Sequence, residues 1–339
     1  MTDVALQVEQ AGPSSTLQDG GRFGYLARGV SPAGPFDRLL HAIANRLVGN
    51  DAGCAAIEFT LKGDTYRVQA ERCRIAVTGD FDVRIDGEKA GAWRTHTLRR
   101  GQALAIGNCR PGLRGYLAVA GGFDLPQVLG SLSVHTRTGI GPLNGTVLKQ
   151  GSVLPLKSPE PPRGPDLRID PKQLPGMPPR LRVVLGPQQH YFSDEAIAAF
   201  LNTPFVLAAE CDRMGFQVKG PDIPFRRDIP LISEGVALGS VQVLDKGLFI
   251  INLVDRQTVG GYPKIATVIS SDIRALAQLR PGSTIQFEAV DIAQAQAIHQ
   301  RERMFIGQLD SLFRPANAED LTSEQLLEGN LISGVLFAE

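Results

Sequence analysis

The apolar residues of this chain form short runs that are rich in β-branched side chains and end at Gly, Pro or Asp. Such runs are typical of strands in sheets and barrels. No regular helical pattern separates them, which argues against a doubly wound parallel sheet. The sequence therefore predicts a mainly β protein with a few short helices. The clearest runs are 66–68, 74–77, 115–119, 181–185 and 248–254.

Four segments predict the helices. Apolar residues recur at helical spacing over 37–48. Ser193 is a suitable N-cap for a second helix and Ser271 for a third, since a short side-chain oxygen can accept from a free backbone N–H. Asp291 is expected to open the longest helix.

A proline-rich stretch marks a boundary in the chain. Prolines are concentrated in 158–179, where they remove backbone donors and keep the chain extended. We expect a first domain at 1–157, a linker at 158–179, a second domain at 180–295 and a variable helical tail at 296–339.

A short pattern recurs in both predicted domains. The segments 98–104, 148–154 and 279–285 each have a glycine followed by an apolar strand-like run. Each predicts a turn in which glycine adopts an unusual backbone angle. The pattern favours two related halves, although β proteins also reuse such a turn by chance.

Charge and cysteine content give no support to several function classes. The 35 basic and 35 acidic side chains balance, which gives no footprint for nucleic acid or an anionic membrane. The four cysteines are scattered, so we expect no metal site. The N-terminal residues lack an apolar export signal, and no run is long enough to span a membrane. These features predict a soluble cytoplasmic protein.

Three glycine-bearing polar stretches are candidates for a binding site. They lie at 12–37, 211–216 and 255–264, and each places Asp and Arg close together beside Gly. Glycine lets a ligand approach the backbone, and arginine offers a planar fork for an anion or a carbonyl oxygen. The other interpretation is that these pairs only stabilise turns. No phosphate-binding loop or serine-nucleophile elbow is present in the sequence.

The same stretches resemble the biotin-dependent carboxyltransferase family. This family includes the carboxyltransferase domain of urea amidolyase, the KipA proteins and the C subunit of 5-oxoprolinase. No counterpart is found for 296–339. The matching segments, in the family's order, are 18–25, 29–37, 45–50, 56–58, 118–124, 129–131, 212–215, 239–243 and 255–268.

The resemblance implies a fold of two related β-barrel domains of cyclophilin-like type with a cleft between them. It also implies that the chain is the C subunit of an ATP-dependent 5-oxoprolinase, which opens 5-oxo-L-proline to L-glutamate. Its partners would be the A subunit and a KipI-like B subunit of that enzyme. ATP would be used through the complex, and the small-molecule partner would be a cyclic amide.

Two other functions follow from the same family. As a carboxyltransferase, the chain would move a carboxyl group from carboxybiotin to urea or a related amide, with biotin as cofactor. As a KipA-like regulator, it would bind a kinase inhibitor protein without catalysis.

The resemblance places candidate roles on residues of all three stretches. Arg213, Arg256 and Lys264 would clamp an anion. Asp212 and Asp255 would act as polarisers or bases, and Gln18 and Gln242 would bind an amide. The catalytic candidates are Asp212, Arg213, Asp255, Arg256 and Lys264. The substrate-binding candidates are Gln18, Asp19, Arg22, Gly34, Asp37, Gln242, Gln257, Thr258, Gly260, Gly261 and Tyr262.

Overall fold

The computed structural model describes residues 4–157, 164–226 and 231–316. Within these ranges the chain is mainly β, and this prediction is confirmed. Residues 158–163 of the predicted linker and 317–339 of the predicted tail lie outside the described residues. None of the described helices has the length and apolar character that crossing a bilayer requires.

Strands of the first half form two antiparallel sheets. They are β1 (Ala5–Gln10), β2 (Ser15–Gln18), β3 (Ala56–Thr60), β4 (Thr65–Val68), β5 (Arg72–Thr78), β6 (Phe81–Ile85), β7 (Glu88–Lys89), β8 (Arg94–Arg99), β9 (Ala103–Cys109), β10 (Arg114–Val119), β11 (Val153–Pro155) and β12 (Leu167–Arg168). One sheet has the order β11-β1-β4-β9-β6-β7, and the other contains β2-β3-β10-β5-β8-β12. Leu6, Tyr66 and Leu104 of the first sheet meet Ile57 and Leu117 of the second in one apolar core.

Among the described residues, the second half has ten strands, eight of which form one nearly closed barrel. They are β13 (Leu181–Leu185), β14 (Phe205–Cys211), β15 (Gly215–Lys219), β16 (Glu234–Gly235), β17 (Ser240–Val243), β18 (Leu248–Asn252), β19 (Val259–Gly260), β20 (Lys264–Val268), β21 (Thr284–Ile285) and β22 (Phe287–Ala289). The sheet order is β21-β14-β15-β18-β17-β20-β13-β22, and β16 pairs separately with β19. Because only Gln286 separates β21 from β22, the two ends of the sheet meet. The predicted turns at 98–104, 148–154 and 279–285 are confirmed, with positive φ at Gly101, Gly151 and Gly282.

The helices match the sequence prediction at three of four starts. Asp37, Ser193 and Asp291 each cap a helix through the side chain. The prediction that Ser271 caps a helix is wrong, because its hydroxyl lies within a 3₁₀ turn and donates to Glu302 instead. The helices are α1 (Arg38–Leu47), α2 (Asp194–Asn202), α3 (Ile273–Ala277) and α4 (Ile292–Gly307).

The predicted domain limits stay a prediction, but the described parts of the linker and tail join the first half. β12, from the predicted linker, pairs with β8. The short strand β23 (Arg314–Pro315), from the predicted tail, pairs with β12. Phe305 and Leu309 pack with α1 against the same sheet.

The two halves are joined by buried contacts. Phe36, which precedes α1, packs in the core of the second half, with its ring 5.6 Å from that of Phe216. Arg114 of β10 donates to the carbonyl oxygen of Ala277 at 2.7 Å, with its guanidinium over the Phe36 ring. Gln278 accepts from the backbone N–H of Arg114. The halves therefore share packing as well as hydrogen bonds.

Candidate functional site

An open groove of about 710 Å³ lies on the face of the second-half barrel that points away from its core. Gln217, Ile250 and Gln242 are aligned across β15, β18 and β17 and form its floor. Side chains alternate along a strand, so the neighbours of these residues fill the apolar core while the three face the groove. Gly260 and Tyr262 also line the groove.

Gln242 has an unpaired amide donor that is buried at the edge of this groove. It is 6% exposed, and its Oε1 accepts from Asn252 Nδ2 at 3.0 Å. Asn252 Nδ2 also donates to the carbonyl oxygen of Ser240, which fixes the amide orientation of both side chains. Gln242 Nε2 has no hydrogen-bond partner among the described residues and lies against Gly260. A buried donor without a partner is costly to the fold, so it is suited to an acceptor atom from a ligand.

Lys264 and Gln188 converge on one carboxylate beside the groove. Lys264 is 2% exposed, and its Nζ lies 3.5 Å from Glu234 Oε2. Gln188 Nε2 donates to the same oxygen at 3.0 Å. Lys264 stands opposite Gln242 of the groove floor in the strand ladder.

Arg213 binds carboxylates from both halves of the molecule. Its Nε and Nη2 donate to Asp255 at 2.9 and 3.1 Å, and its Nη1 donates to Glu58 at 2.5 Å. Nη2 also donates to the carbonyl oxygen of Gly34 at 2.7 Å. These two carboxylates raise the pKa of Arg213 against the effect of burial. The network brings together residues from all three predicted stretches, but its polar atoms are used within the protein.

Glu58 is the acceptor at the centre of this network. Its second oxygen accepts from the Phe36 backbone N–H at 2.9 Å and from the Tyr116 hydroxyl at 2.7 Å. Burial alone would raise the pKa of Glu58, but the charges of Arg213 and Arg114 and these hydrogen bonds outweigh it, so the pKa lies below its usual value. Glu58 therefore stays ionised in the folded protein at neutral pH.

Asp19 and Arg22 form a second buried cluster in the first half. Asp19 accepts from the hydroxyls of Ser131 and Ser133 and from the backbone N–H of Leu132. Burial raises the pKa of Asp19, but these hydrogen bonds outweigh burial, and the net shift is downward. Arg22 Nη2 donates to the Ser133 carbonyl oxygen, while its buried Nη1 has no partner among the described residues.

Gln18, Gly34 and Asp37 are placed in structural contacts. Gln18 Nε2 donates to the Val134 carbonyl oxygen, and its Oε1 accepts from the Gly34 N–H. Asp37 caps α1, and burial raises its pKa. The Gly34 carbonyl oxygen accepts from Arg213. These contacts explain why the first stretch is rich in polar residues.

Arg256 has different partners from the other two predicted arginines. Its Nε donates to the Val236 carbonyl oxygen at 2.8 Å, and no described carboxylate pairs with it. Burial and the charge of Arg38 lower the pKa of Arg256 to about 10. Arg22 and Arg213, in contrast, both lie near Asp255.

The groove lining contains only some of the predicted site residues. Thr258 is not among them, and its carbonyl oxygen accepts from the Val236 N–H. Asp212 lies at the rim, where it pairs with Arg137 of the first half at 3.4 Å. The roles of all these residues as ligand contacts stay predictions. The predicted residues in the lining are Asp212, Gln242, Gln257, Gly260, Gly261 and Tyr262.

Sequence reasoning missed several residues around the site. Glu58 was recognised only as part of a family segment, and Gln188, Glu234 and Asn252 carried no signal of their own. Cys211 lines the groove, but burial raises the pKa of its thiol to about 11, so it is a poor nucleophile. Within the described ranges, no group of three acidic, His or Cys side chains could hold a metal ion.

Comparisons with known proteins point to one family. The family model described as carboxyltransferase domain, subdomain A and B, matches residues 28–289. The C subunit of the Escherichia coli 5-oxoprolinase is 35% identical over 90% of this chain and 97% of its own length. The protein of the same name from Haemophilus influenzae is 35% identical over 87% of this chain and 94% of its own length.

Solved structures agree with the sequence relatives. The urea amidolyase of Kluyveromyces lactis superposes with a TM-score of 0.84 and 26% identity, covering 93% of this chain but 21% of that one. The protein TTHA0988 superposes with a TM-score of 0.74 and 36% identity, covering 84% of this chain and 56% of that one. This chain belongs to the carboxyltransferase-domain family.

Proposed function

We propose that this chain is the C subunit of a cytoplasmic 5-oxoprolinase complex, which opens 5-oxo-L-proline to L-glutamate at the expense of ATP. The observation that carries the proposal is the match to the C subunits of two bacterial 5-oxoprolinases. It extends over 97% and 94% of their lengths. The other members of the complex would be the A subunit and a KipI-like B subunit.

The chemistry of a lactam explains why several proteins are needed. An unstrained five-membered amide resists attack by water, and phosphorylation of its oxygen by ATP would make it reactive. The present sequence has no phosphate-binding loop. We therefore assign ATP to the complex and to this chain the binding of the cyclic amide.

The groove fits a cyclic amide. Gln242 Nε2 supplies a fixed donor for a carbonyl oxygen. Gln217 and Gln257 add further amide groups to the lining, which could accept from the ring N–H. A lactam presents its carbonyl oxygen and its N–H on the same side of the ring, so neighbouring donors and acceptors can bind both.

Reconstitution tests the proposal. The purified chain should release no glutamate from 5-oxoproline, whereas a mixture with the A and B subunits of the same organism should do so only when ATP is present. Gln242→Leu in the full mixture should raise KM for 5-oxoproline, while the matched control Lys219→Gln, on the exposed end of β15, should not. Robust turnover by the chain alone, or none by the full mixture, would contradict the proposal.

Carboxyl transfer is the second candidate. It is favoured by the likeness to K. lactis urea amidolyase over 93% of this chain. Bound carboxybiotin would supply the carboxyl group, and its ureido ring is also a cyclic amide that Gln242 Nε2 could hold. Under this function, the chain with a biotin carboxylase and a biotinyl carrier should fix bicarbonate carbon into urea.

A further inference from the structure

Two buried donors meet at a single point beside the groove. Lys264 is 2% exposed and Gln188 is 5% exposed. Lys264 Nζ and Gln188 Nε2 lie 3.5 and 3.0 Å from the same atom, Glu234 Oε2. The arrangement is that of a site for one carboxylate oxygen.

Both donors are held in place by the barrel. Gln188 Oε1 accepts from the Lys264 backbone N–H at 2.9 Å, so its Nε2 must be the end that faces Glu234. An ammonium group has three N–H donors, yet the described residues give Lys264 Nζ only this one long contact. A buried ammonium with so few partners is costly, and a closer anion would lower that cost.

Glu234, in contrast, is held loosely. Its side chain is 53% exposed. It belongs to β16, which has two residues and pairs only with β19 among the described strands. Water can solvate a half-exposed carboxylate on a short ladder, so Glu234 can leave the subsite when another anion takes its place beside the buried cation.

The carboxylate site adjoins the amide donor of the groove. Lys264 of β20 stands opposite Gln242 of β17, and directly opposed residues lie about 5 Å apart between Cα atoms. Gly260, which pairs with Glu234, is also the residue that covers Gln242 Nε2. Two residues of the same short ladder, Glu234 and Gly260, therefore adjoin the two donors.

We propose that Lys264 Nζ and Gln188 Nε2 form a carboxylate subsite, which Glu234 fills in the ligand-free protein and which the carboxylate of a ligand takes over. Gln242 Nε2 then binds the carbonyl oxygen of the same ligand. The ligand class is a small carboxylate with a neighbouring amide. Its identification with 5-oxoproline rests on the proposed function, but the displacement of Glu234 by a carboxylate does not.

Competition by Glu234 has a measurable consequence. The apparent affinity of a ligand is its intrinsic affinity multiplied by the fraction of molecules in which its site is open. If Glu234 fills the subsite in roughly nine of ten molecules, its removal tightens carboxylate binding about tenfold. A ligand without a carboxylate gains nothing from this change at Lys264.

The test is calorimetric titration of the full-length chain with three probes: 5-oxoproline, 2-pyrrolidinone, which lacks the carboxylate, and cyclopentanecarboxylate, which lacks the lactam. Glu234→Ala should tighten both carboxylates about tenfold and leave 2-pyrrolidinone unchanged. Glu288→Ala is the matched control, because Glu288 is an exposed carboxylate of the same half that does not line the groove or contact Lys264. It should shift all three probes by less than about twofold.

Lys264→Gln gives the opposite expectation. It should abolish the preference for 5-oxoproline over 2-pyrrolidinone. If that variant does not fold, Glu234→Ala alone decides. Equal tightening in Glu234→Ala and Glu288→Ala, tightening for 2-pyrrolidinone, or no tightening for either carboxylate would overturn the proposal.

The outcome is separable from the proposed function. If the reconstituted complex does not open 5-oxoproline but cyclopentanecarboxylate still tightens in Glu234→Ala, the subsite stands and the assignment of the substrate falls. If turnover is seen but Glu234→Ala binds carboxylates no better, the function stands and the subsite falls.

Discussion

Arg213 holds a carboxylate from each half of the molecule, Glu58 from the first and Asp255 from the second. Both acids are nearly inaccessible to solvent, at 3% exposure each. A buried ion pair stabilises little compared with an apolar pair, but removing one partner leaves an uncompensated charge. The residue is therefore sensitive to any substitution that removes its charge.

Arg213→Met should cost about 3–5 kcal/mol of the free energy of unfolding, because Glu58 and Asp255 would stay buried without their cation. The matched control is Arg137→Met, which breaks the exposed pair with Asp212 and should cost less than about 1 kcal/mol. Urea denaturation at pH 7 measures both. An equal loss for the two variants would contradict the expected cost of leaving Glu58 and Asp255 without their cation.

The lowered pKa of Glu58 gives a pH dependence with a definite sign. An acid whose pKa is lower in the folded than in the unfolded chain stabilises the fold fully above its unfolded pKa, about 4.3 for Glu. This contribution is lost as the pH falls through the lower folded-state pKa. Glu58→Gln should therefore be less stable at pH 7 and should show a flatter decline below about pH 4.3. Parallel stability curves for Glu58→Gln and the natural protein would contradict this.

The sequence predicts which residues lie near the site better than it predicts the contacts that they make. Arg213 and Asp255 stand in polar stretches beside glycine, which led to their prediction as ligand contacts. Glu58 lies 155 positions before Arg213, and only the tertiary structure brings them together. Lys264 was predicted as a cation for an anion, but its partners Gln188 and Glu234 come from a loop and a two-residue strand without a distinctive pattern.

At the scale of elements, the absence of a side chain at Gly239 permits the close approach of β17 and β20. Gly239 precedes β17 with φ +85°, and a Cβ there would lie 2.3 Å from the Val268 carbonyl oxygen. Gly151 has the same φ of +85°, but a Cβ there would have nothing within 4 Å. Substitution of these two glycines therefore distinguishes the cost of backbone strain from the cost of steric overlap.

Gly151→Ala should cost about 1–2 kcal/mol, because a residue with Cβ is disfavoured in the left-handed conformation. Gly239→Ala should cost at least about 2 kcal/mol more, because β17 and β20 must also move apart. Thermal or urea unfolding of the two variants measures the difference. Equal costs would mean that the ladder between these strands yields without penalty.

Elements with a local signal were predictable and those set by packing were not. Asp291 caps α4 with a capping box that Gln294 completes, so these four consecutive residues are enough to predict the helix start. Ser271 is also of a residue type that commonly caps helices, but its hydroxyl donates to Glu302 of α4 instead. That competition comes from an element 31 positions away, which no local pattern reveals.

At the scale of the whole molecule, the shared interface predicts cooperative unfolding. Trp93 is the only tryptophan and lies in the first half, so its fluorescence reports that half, whereas far-UV circular dichroism reports both. Because Phe36, Arg114 and Arg213 bridge the halves, the two signals should change at the same urea concentration. Two separate transitions would show that the halves are independent.

The pairing of β12 with β8 and of β23 with β12 has a consequence for synthesis on the ribosome. A nascent chain can fold its early portion first, but β12 gains its outer neighbour only when Arg314 has emerged. While the second-half barrel is being translated, the free edge of β12 exposes unpaired backbone N–H and C=O groups to other polypeptides. β23 therefore completes a sheet whose other strands are all translated before the barrel of the second half.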